Sequence, residues 1–272
     1  MIRDLTDLTS EKVLKMSYVD LLSLMNETNR PPGGKDTIRQ IALNAFVSSK
    51  HRVLEIGCST GFSSIEISCI TGCQVSGIDP NEIAIATAKK NSQQALVNDR
   101  VLFQIGDATH LPFDNEMFHL VHCGGAIAWI QDKKKAISEC MRVLRFWGFI
   151  TAVPLYYHKS PPKKLIEELN THLGIVIQPW GKDFWISLFE SEGLESYHTI
   201  DQKIFSVSDH VLKDYIDHLI SPLKPSLQQD VLEAIRQKAM MYFSTFNENH
   251  KYLSYSIMLF RKRPVSEQRS LF

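Results

Sequence analysis

The chain has 272 residues, 44% of them hydrophobic, with 30 Lys and Arg against 30 Asp and Glu and hence no formal net charge. That length can bury a sizeable core, as one domain with additions or as two smaller ones. Neutrality removes the large electrostatic reason to seek nucleic acid or an anionic membrane, and no stretch approaches the roughly 18–20 apolar residues that span a bilayer.

The N-terminus, with Arg3, Asp4, Asp7 and Glu11, lacks the apolar centre of a signal peptide. Its helical signal begins at Ser10 and runs to Met25, with Val13, Leu14, Tyr18, Leu21 and Leu22 at helical spacing. Asn29-Arg30-Pro31-Pro32-Gly33-Gly34-Lys35 then stops any helix. This loop reads either as a flexible connection or as part of a lid. The lid reading is preferred for Tyr18 and Arg30, since an arginine beside rigid Pro-Gly geometry suits a carboxylate clamp. Asp36 is the expected N-cap of the next helix, whose apolar face carries Ile38, Ile41, Ala42, Ala45 and Phe46. Residues 1–48 thus form a helical cap ahead of the main domain, 49–272.

Val53-Leu54-Glu55-Ile56 is a buried strand leading into Gly57-Cys58-Ser59-Thr60-Gly61, a tight turn, and then into a helix. The glycines permit close backbone approach, and the N–H groups at the helix start can face a polar ligand. Strand and helix signals then alternate. Gln74 to Asp79 is a strand, and Pro80 opens a helix. Arg100 to Ile105 is a strand, Phe118 to Cys123 another, Asp132 to Leu144 a helix, and Gly148 to Tyr156 a strand. Such alternation implies a parallel sheet covered on both faces, with ligands at the carboxyl ends of its strands. Glu55, Asp79, Asp107 and Cys123-Gly124 all fall at that rim.

Beyond Pro161 the pattern changes to helices, with insertions at about 158–193 and 208–247 expected to cover the rim. Helices are read after Pro161-Pro162, around Phe184 to Phe189, over Ser208–Ile220 and over Ser226–Phe243. Strands are read from Glu195 to Val207 and from Tyr252 to Phe260. The end after Pro264 is expected to fray. Five cysteines, Cys58, Cys69, Cys73, Cys123 and Cys140, form no C-x-x-C pair. They read as reduced thiols of a cytoplasmic protein, with no metal expected.

An acid ending the second strand about twenty residues past a glycine turn is where ribose hydroxyls are held. Asp79 occupies that place. Dinucleotide enzymes and methyltransferases share the arrangement, so another feature has to separate them. The turn here is G-x-x-x-G, without the G-x-G-x-x-G of a dinucleotide fingerprint. Glu55, two residues before the first glycine, would repel a pyrophosphate and attract an ammonium group. A ligand with an amino-acid end, a ribose and an adenine but no phosphate satisfies Glu55, Asp79 and Asp107 together. S-adenosylmethionine is such a ligand.

The sequence resembles the class I S-adenosylmethionine-dependent methyltransferases, in particular the small-molecule, ubiquinone/menaquinone-biosynthesis-like branch (methyltransferase type 11). The resemblance is carried by Val53–Gly61, by Gly77-Ile78-Asp79-Pro80, by Gly106-Asp107-Ala108-Thr109-His110-Leu111-Pro112-Phe113 and by Cys140–Phe149. It implies a Rossmann-like doubly wound sheet of seven strands, the last antiparallel, with an N-terminal helical lid and helical additions after strands 5 and 6. It further implies that Glu55, Gly57, Cys58, Ser59 and Gly61 border the methionine end, with the ribose on Asp79 and Pro80 beside the adenine. Asp107 and Ala108 would hold the adenine edge, and Cys123 and Gly124 would lie next to the transferred methyl. S-adenosylhomocysteine would be the product. Two positions depart from the pattern: Ser59 replaces the usual middle glycine, and His119 the commonest acid of the fourth strand.

Methyl transfer by direct displacement needs alignment above all, and a base only if the acceptor must lose a proton. His122, His158, Tyr156 and Tyr157 are the candidates, although a histidine is more often structural; His158 is preferred because it follows a strand end. Trp129, Trp180, Phe184, Trp185, Met240, Met241, Tyr242 and Phe243 could line an apolar acceptor pocket, although at helical spacing such residues are commonly core. The expected activity is methylation of a small, partly apolar metabolite. Methylation of RNA or protein, and a non-catalytic cofactor-binding scaffold or sensor, remain the alternatives. The sequence carries no fingerprint of the acceptor or of the oligomeric state.

Overall fold

The computed structural model describes residues 8–25, 27, 30–174 and 176–264. The expected fraying after Pro264 and the reading of the first seven residues lie outside these. In chain order the first elements are α1 (Ser10–Lys15), α2 (Tyr18–Leu24), α3 (Gly34–Asn44), β1 (Arg52–Ile56), α4 (Phe62–Thr71) and β2 (Gln74–Asp79). Next come α5 (Glu82–Gln94), β3 (Val101–Ile105), β4 (Phe118–Gly124), α6 (Lys133–Val143), β5 (Leu144–Ala152) and β6 (Leu155–Tyr157). The chain continues through α7 (Lys163–Leu173), α8 (Lys182–Glu190), β7 (Glu195–Lys203), α9 (Asp209–Ile220), α10 (Gln229–His250) and β8 (Leu253–Arg261).

Two compact units emerge. The sheet unit comprises Asn29–Leu155, Gly181–Gln202 and Tyr255–Phe272. Its strands run in the order β3-β2-β1-β4-β5-β8. The first five are mutually parallel, and β8 lies antiparallel to β5. This is the doubly wound, Rossmann-like sheet with a reversed last strand that the sequence implies. Val53, Leu54, Ile56, Leu120, Val121 and Ile150 are almost fully buried at its centre, each such side chain contributing roughly 1.5–3 kcal/mol.

The helical unit comprises Met1–Thr28, Tyr156–Trp180 and Lys203–Ser254. Its core joins Val13, Leu21 and Met25 to Leu212, Ile216, Ile220, Ile235, Ala239 and Tyr242. The N-terminal segment is therefore divided near Asn29. Residues before it group with the later helices, while α3 groups with the sheet, where Ile38 and Ile41 are buried. The expected insertion at 158–193 is divided as well, since α8 belongs to the sheet unit.

Several boundaries differ from expectation for local reasons. The helix over Ser10–Met25 breaks at Met16, which is extended. Ser17 then starts α2 by accepting from the Asp20 N–H at 3.2 Å while its hydroxyl donates to the Asp20 carboxylate at 2.6 Å. Gly33, at φ 78°, opens α3 instead of Asp36, which sits in the first turn paired with Arg39 at 2.7 Å. Asn81, not Pro80, caps α5, accepting from the Ile83 and Ala84 N–H groups. The strand expected over Gly148–Tyr156 is interrupted. The Val153 N–H turns to the Gly124 carbonyl at 2.8 Å, and Pro154 has no N–H to offer. Among the described residues the sheet has eight strands rather than seven, with the three-residue β6 and the nine-residue β7 both pairing β8.

Candidate active site

The glycine turn is built by steric exclusion. Gly57 (φ 67°), Ser59 (φ 47°) and Gly61 (φ 88°) all have left-handed backbone. A Cβ on Gly57 would collide with the Ala126 Cβ, and one on Gly61 would lie 2.6 Å from Phe103 Cζ and 3.1 Å from the Ala88 Cβ. Only glycine serves at either place. The Cys58 N–H is tied to the Ile78 carbonyl at 2.9 Å, and the Gly61 N–H closes on the Cys58 carbonyl at 2.8 Å. Asn91 of α5 holds the Thr60 carbonyl at 2.9 Å. Ala126, Phe103 and Asn91 are site-shaping residues that sequence reasoning missed, because nothing local marks which distant side chain closes on a glycine.

Ser59 carries the left-handed strain that a glycine would avoid, at roughly 1–2 kcal/mol. Its backbone N–H donates to Asp79 Oδ2 at 2.9 Å, and the Asn81 N–H donates to Asp79 Oδ1 at the same distance. The half-buried Asp79 carboxylate is thus clamped at the end of β2 by two amides. Each oxygen retains lone-pair capacity for a further donor. Pro80 beside it is exposed.

Asp107 stands past the end of β3 and is exposed. It accepts from the Thr109 N–H at 2.8 Å and the Thr109 hydroxyl at 2.9 Å, and these bonds hold its carboxyl below the usual carboxylate range. The adjacent Ala108 is buried.

Glu55 differs from the expectation of an acid facing a ligand directly. It is only 6% exposed, and its carboxylate accepts from the hydroxyl of Ser64 in the first turn of α4. Burial pushes its carboxyl up to about 7, against the opposing effect of hydrogen bonds from Ser64 and Ser63. The cause is register: Glu55 pairs with Gly77 on one side and His122 on the other, inside the sheet rather than beyond it.

At the end of β4, Cys123 is buried and Gly124 has φ 50°. A single 3-10 turn, Ala126–Ala128, follows. His122 is buried, shares a hydrogen bond between Nδ1 and Thr151 Oγ1 at 2.9 Å, and is pushed by burial down to about 4. Arg30 lies with its guanidinium 5.6 Å from the ring centre of Phe62, the first residue of α4. The loop expected to act as a lid therefore meets the glycine turn within the sheet unit. His119 accepts the Arg52 N–H at 3.2 Å through Nδ1 and stacks on His51.

Tyr18 and the candidate bases His158, Tyr156 and Tyr157 belong to the helical unit. Tyr18 packs edge-on against Tyr242 and Phe246 at 5.3 and 5.0 Å, and burial raises its phenol to about 12. His158 donates its N–H to the Tyr252 carbonyl at 3.1 Å, and its Nδ1 lies 3.1 Å from Ser254 Oγ. The Tyr157 hydroxyl donates to Asn249 Oδ1 at 3.2 Å, and Tyr156 is buried. The expected pocket aromatics divide between the units, with Trp129, Phe184 and Trp185 in one and Trp180, Met240, Met241, Tyr242 and Phe243 in the other. Trp185 and Tyr242 are buried core, whereas Trp129 is 63% and Met241 44% exposed. No group of three or more His, Cys, Asp or Glu suited to a metal occurs among the described residues.

With this geometry in hand, comparison with known proteins is direct. A family profile described as a methyltransferase domain matches residues 53–148, the span from β1 into β5. The demethylmenaquinone methyltransferase of Lactiplantibacillus plantarum is 34% identical over 192 residues, 60% of this chain and 77% of that protein. The crystal structure of MccD protein superposes with a TM-score of 0.77 at 26% identity, covering 87% of this chain and all of that one. A Geobacter sulfurreducens S-adenosylmethionine-dependent methyltransferase, solved with S-adenosylhomocysteine, shares the fold (TM-score 0.68, 17% identity, 91% and 99% coverage).

Proposed function

The chain belongs to the class I S-adenosylmethionine-dependent methyltransferases, and from that premise we propose that it methylates a small, partly apolar metabolite. The enzyme class and the cofactor follow from the family. The acceptor class, the site assignments and a cytoplasmic setting are our reading. Among the described residues no helix is long and apolar enough to cross a membrane.

The residues fit the cofactor. Gly57 and Gly61 leave bare backbone where a Cβ would fill the turn, and the turn's residues Cys58 and Ser59 would border the methionine end. Asp79 would take the ribose hydroxyls, Pro80 and Ala108 would flank the adenine, and Asp107 would accept from its amino group. Cys123 and Gly124 would border the reacting methyl, and Glu55 would act on the ammonium from beneath the turn. When bound, S-adenosylmethionine supplies the electrophilic methyl on its sulfonium. The chain's part is to orient donor and acceptor, which can contribute roughly 7–11 kcal/mol, and to exclude water. Arg30 would close over the cofactor's carboxylate. His158, with its ring held by Ser254, is the base we favour for an acceptor that must lose a proton.

The observation that carries this reading is the joint clamp on Asp79 by the Ser59 and Asn81 amides, which ties the glycine turn to the ribose position before any ligand arrives. The test is incubation of the protein with methyl-labelled cofactor and fractionated metabolites. Label should enter a small organic-soluble molecule. Label confined to RNA or protein, or no transfer despite binding, would overturn the acceptor assignment.

A further inference from the structure

His122 has no part in the chemistry above, yet its surroundings are unusual. Glu55 of β1 is in register with His122 of β4, and His122 is in register with Thr151 of β5. Neighbouring strands lie roughly 4.8 Å apart, so these three side chains form one polar rung across an apolar sheet. The imidazole is used on one side only. Nδ1 bonds Thr151 at 2.9 Å, while the buried Nε2 has no partner among the described residues. Leaving a buried polar atom unmatched costs roughly 1–3 kcal/mol.

Glu55 and His122 also line one small cavity, about 10 Å³, with Ile38, Ile41, Ser63 and Ser64. That volume is at the lower limit for a single water, and Glu55 and His122 are both buried. Helix α4 presents Ser63, Ser64 and Ile67 to the cavity, α3 presents Ile38 and Ile41, and β1 and β2 add Val53 and Val75; Thr151 of β5 meets His122 through Nδ1. The titratable neighbours acting on or beside Glu55 are Asp79 and the Cys58 thiol. Burial leaves the carboxyl holding a proton near neutrality and the imidazole without one. An acid and an unfilled base thus occupy neighbouring positions of one buried rung.

We propose that His122 is the internal proton acceptor of Glu55: when the cofactor's ammonium group arrives at the glycine turn, the carboxyl proton passes to His122 Nε2. The O–H bond of Glu55 breaks and an N–H bond forms on His122, directly or through the single water the cavity admits. The pair keeps its total charge, the carboxylate stabilises the ammonium, and Thr151 holds the imidazolium through Nδ1–H. The proposal rests on the cofactor assignment made above. Its consequence is that cofactor binding exchanges no proton with solvent, although a carboxyl changes state.

The test counts protons. Titration calorimetry with S-adenosylhomocysteine at pH 6, in two buffers of different ionisation enthalpy, should give a count near zero for the wild type. His122→Gln removes the internal acceptor, so about 0.9 proton should appear in the buffer, and affinity should rise about fivefold from pH 6 to pH 7. Glu55→Gln should release none. Equal counts for wild type and His122→Gln, or a pH dependence that survives Glu55→Gln, would overturn the proposal. Nitrogen NMR of the wild-type imidazole gives a readout that needs no variant: Nε2 should move from lone-pair-bearing to protonated on ligand addition, and an unchanged shift overturns the idea. Protein that ignores S-adenosylhomocysteine altogether removes the cofactor reading and this proposal with it, whereas binding with equal counts removes the proposal alone.

Discussion

At the scale of single residues the site is held by backbone donors around one carboxylate. A hydrogen bond to a charged group contributes roughly 1.5–3 kcal/mol. Asp79→Ala should therefore weaken S-adenosylhomocysteine at least tenfold in a calorimetric titration; unchanged affinity would reject the ribose assignment. Ser59 makes a complementary case. Its contribution to the clamp is its N–H, which glycine also has, and its φ of 47° is one that glycine adopts without strain. Ser59→Gly should leave cofactor affinity within about threefold and raise the melting temperature, the strain relieved being roughly 1 kcal/mol. A large loss of affinity would mean that the hydroxyl, not the amide, is the functional group.

At the scale of elements, the start of each helix carries the argument. Asn81 caps α5 with its side chain, while its own N–H serves Asp79. Asn81→Ala should cost about 1 kcal/mol of stability in urea unfolding and leave that amide in place, so affinity should fall far less than for Asp79→Ala. The loop before α3 brings Arg30 over Phe62 at the mouth of the turn. If that loop closes on the cofactor, Arg30→Ala should raise the dissociation constant of S-adenosylhomocysteine severalfold. No change would take Arg30 out of the site. Within β5, Trp147 has φ 65° and is 46% exposed, with the Arg261 guanidinium 5.4 Å from its ring centre, a cation–π contact.

At the scale of the molecule, two buried groups in the sheet unit bias stability with opposite signs. His122 goes from an ordinary 6.5 to about 4 on folding. Its contribution is complete above pH 6.5 and lost as pH falls towards 4, because the unfolded chain then binds the extra proton. At roughly 1.4 kcal/mol per pH unit the full effect is roughly 3 kcal/mol. Glu55, raised from 4.5 to about 7, acts in reverse: its contribution is complete below pH 4.5 and lost as pH rises through 7. Between pH 4.5 and 6.5 the two oppose each other, and wild-type stability should change little on their account. In His122→Gln only the Glu55 trend remains, so unfolding midpoints should fall steadily from pH 4.5 to 7. A flat profile in that variant would show that the carboxyl does not carry its proton into the folded state.

Much of this was legible in the chain itself. Strand–helix alternation, the turn from Gly57 to Gly61, and the acids Asp79 and Asp107 at strand ends depend on short-range pattern and stand where the sequence places them, whereas Glu55 does not. The helix break at Met16, the start of α3 at Gly33 and the gap at Pro154 turned on single hydrogen bonds that periodicity averages away. The division near Asn29 and the sorting of the aromatic residues between two units depend on contacts between segments more than a hundred residues apart, which no local window contains. By itself the sequence determined the parallel sheet, the glycine turn and the carboxylates at Asp79 and Asp107, because backbone sterics and side-chain alternation act over a few residues. Only the tertiary structure decided that Glu55 turns inward to Ser64 and shares a rung with His122, because strand register sets which side chains are neighbours across the sheet.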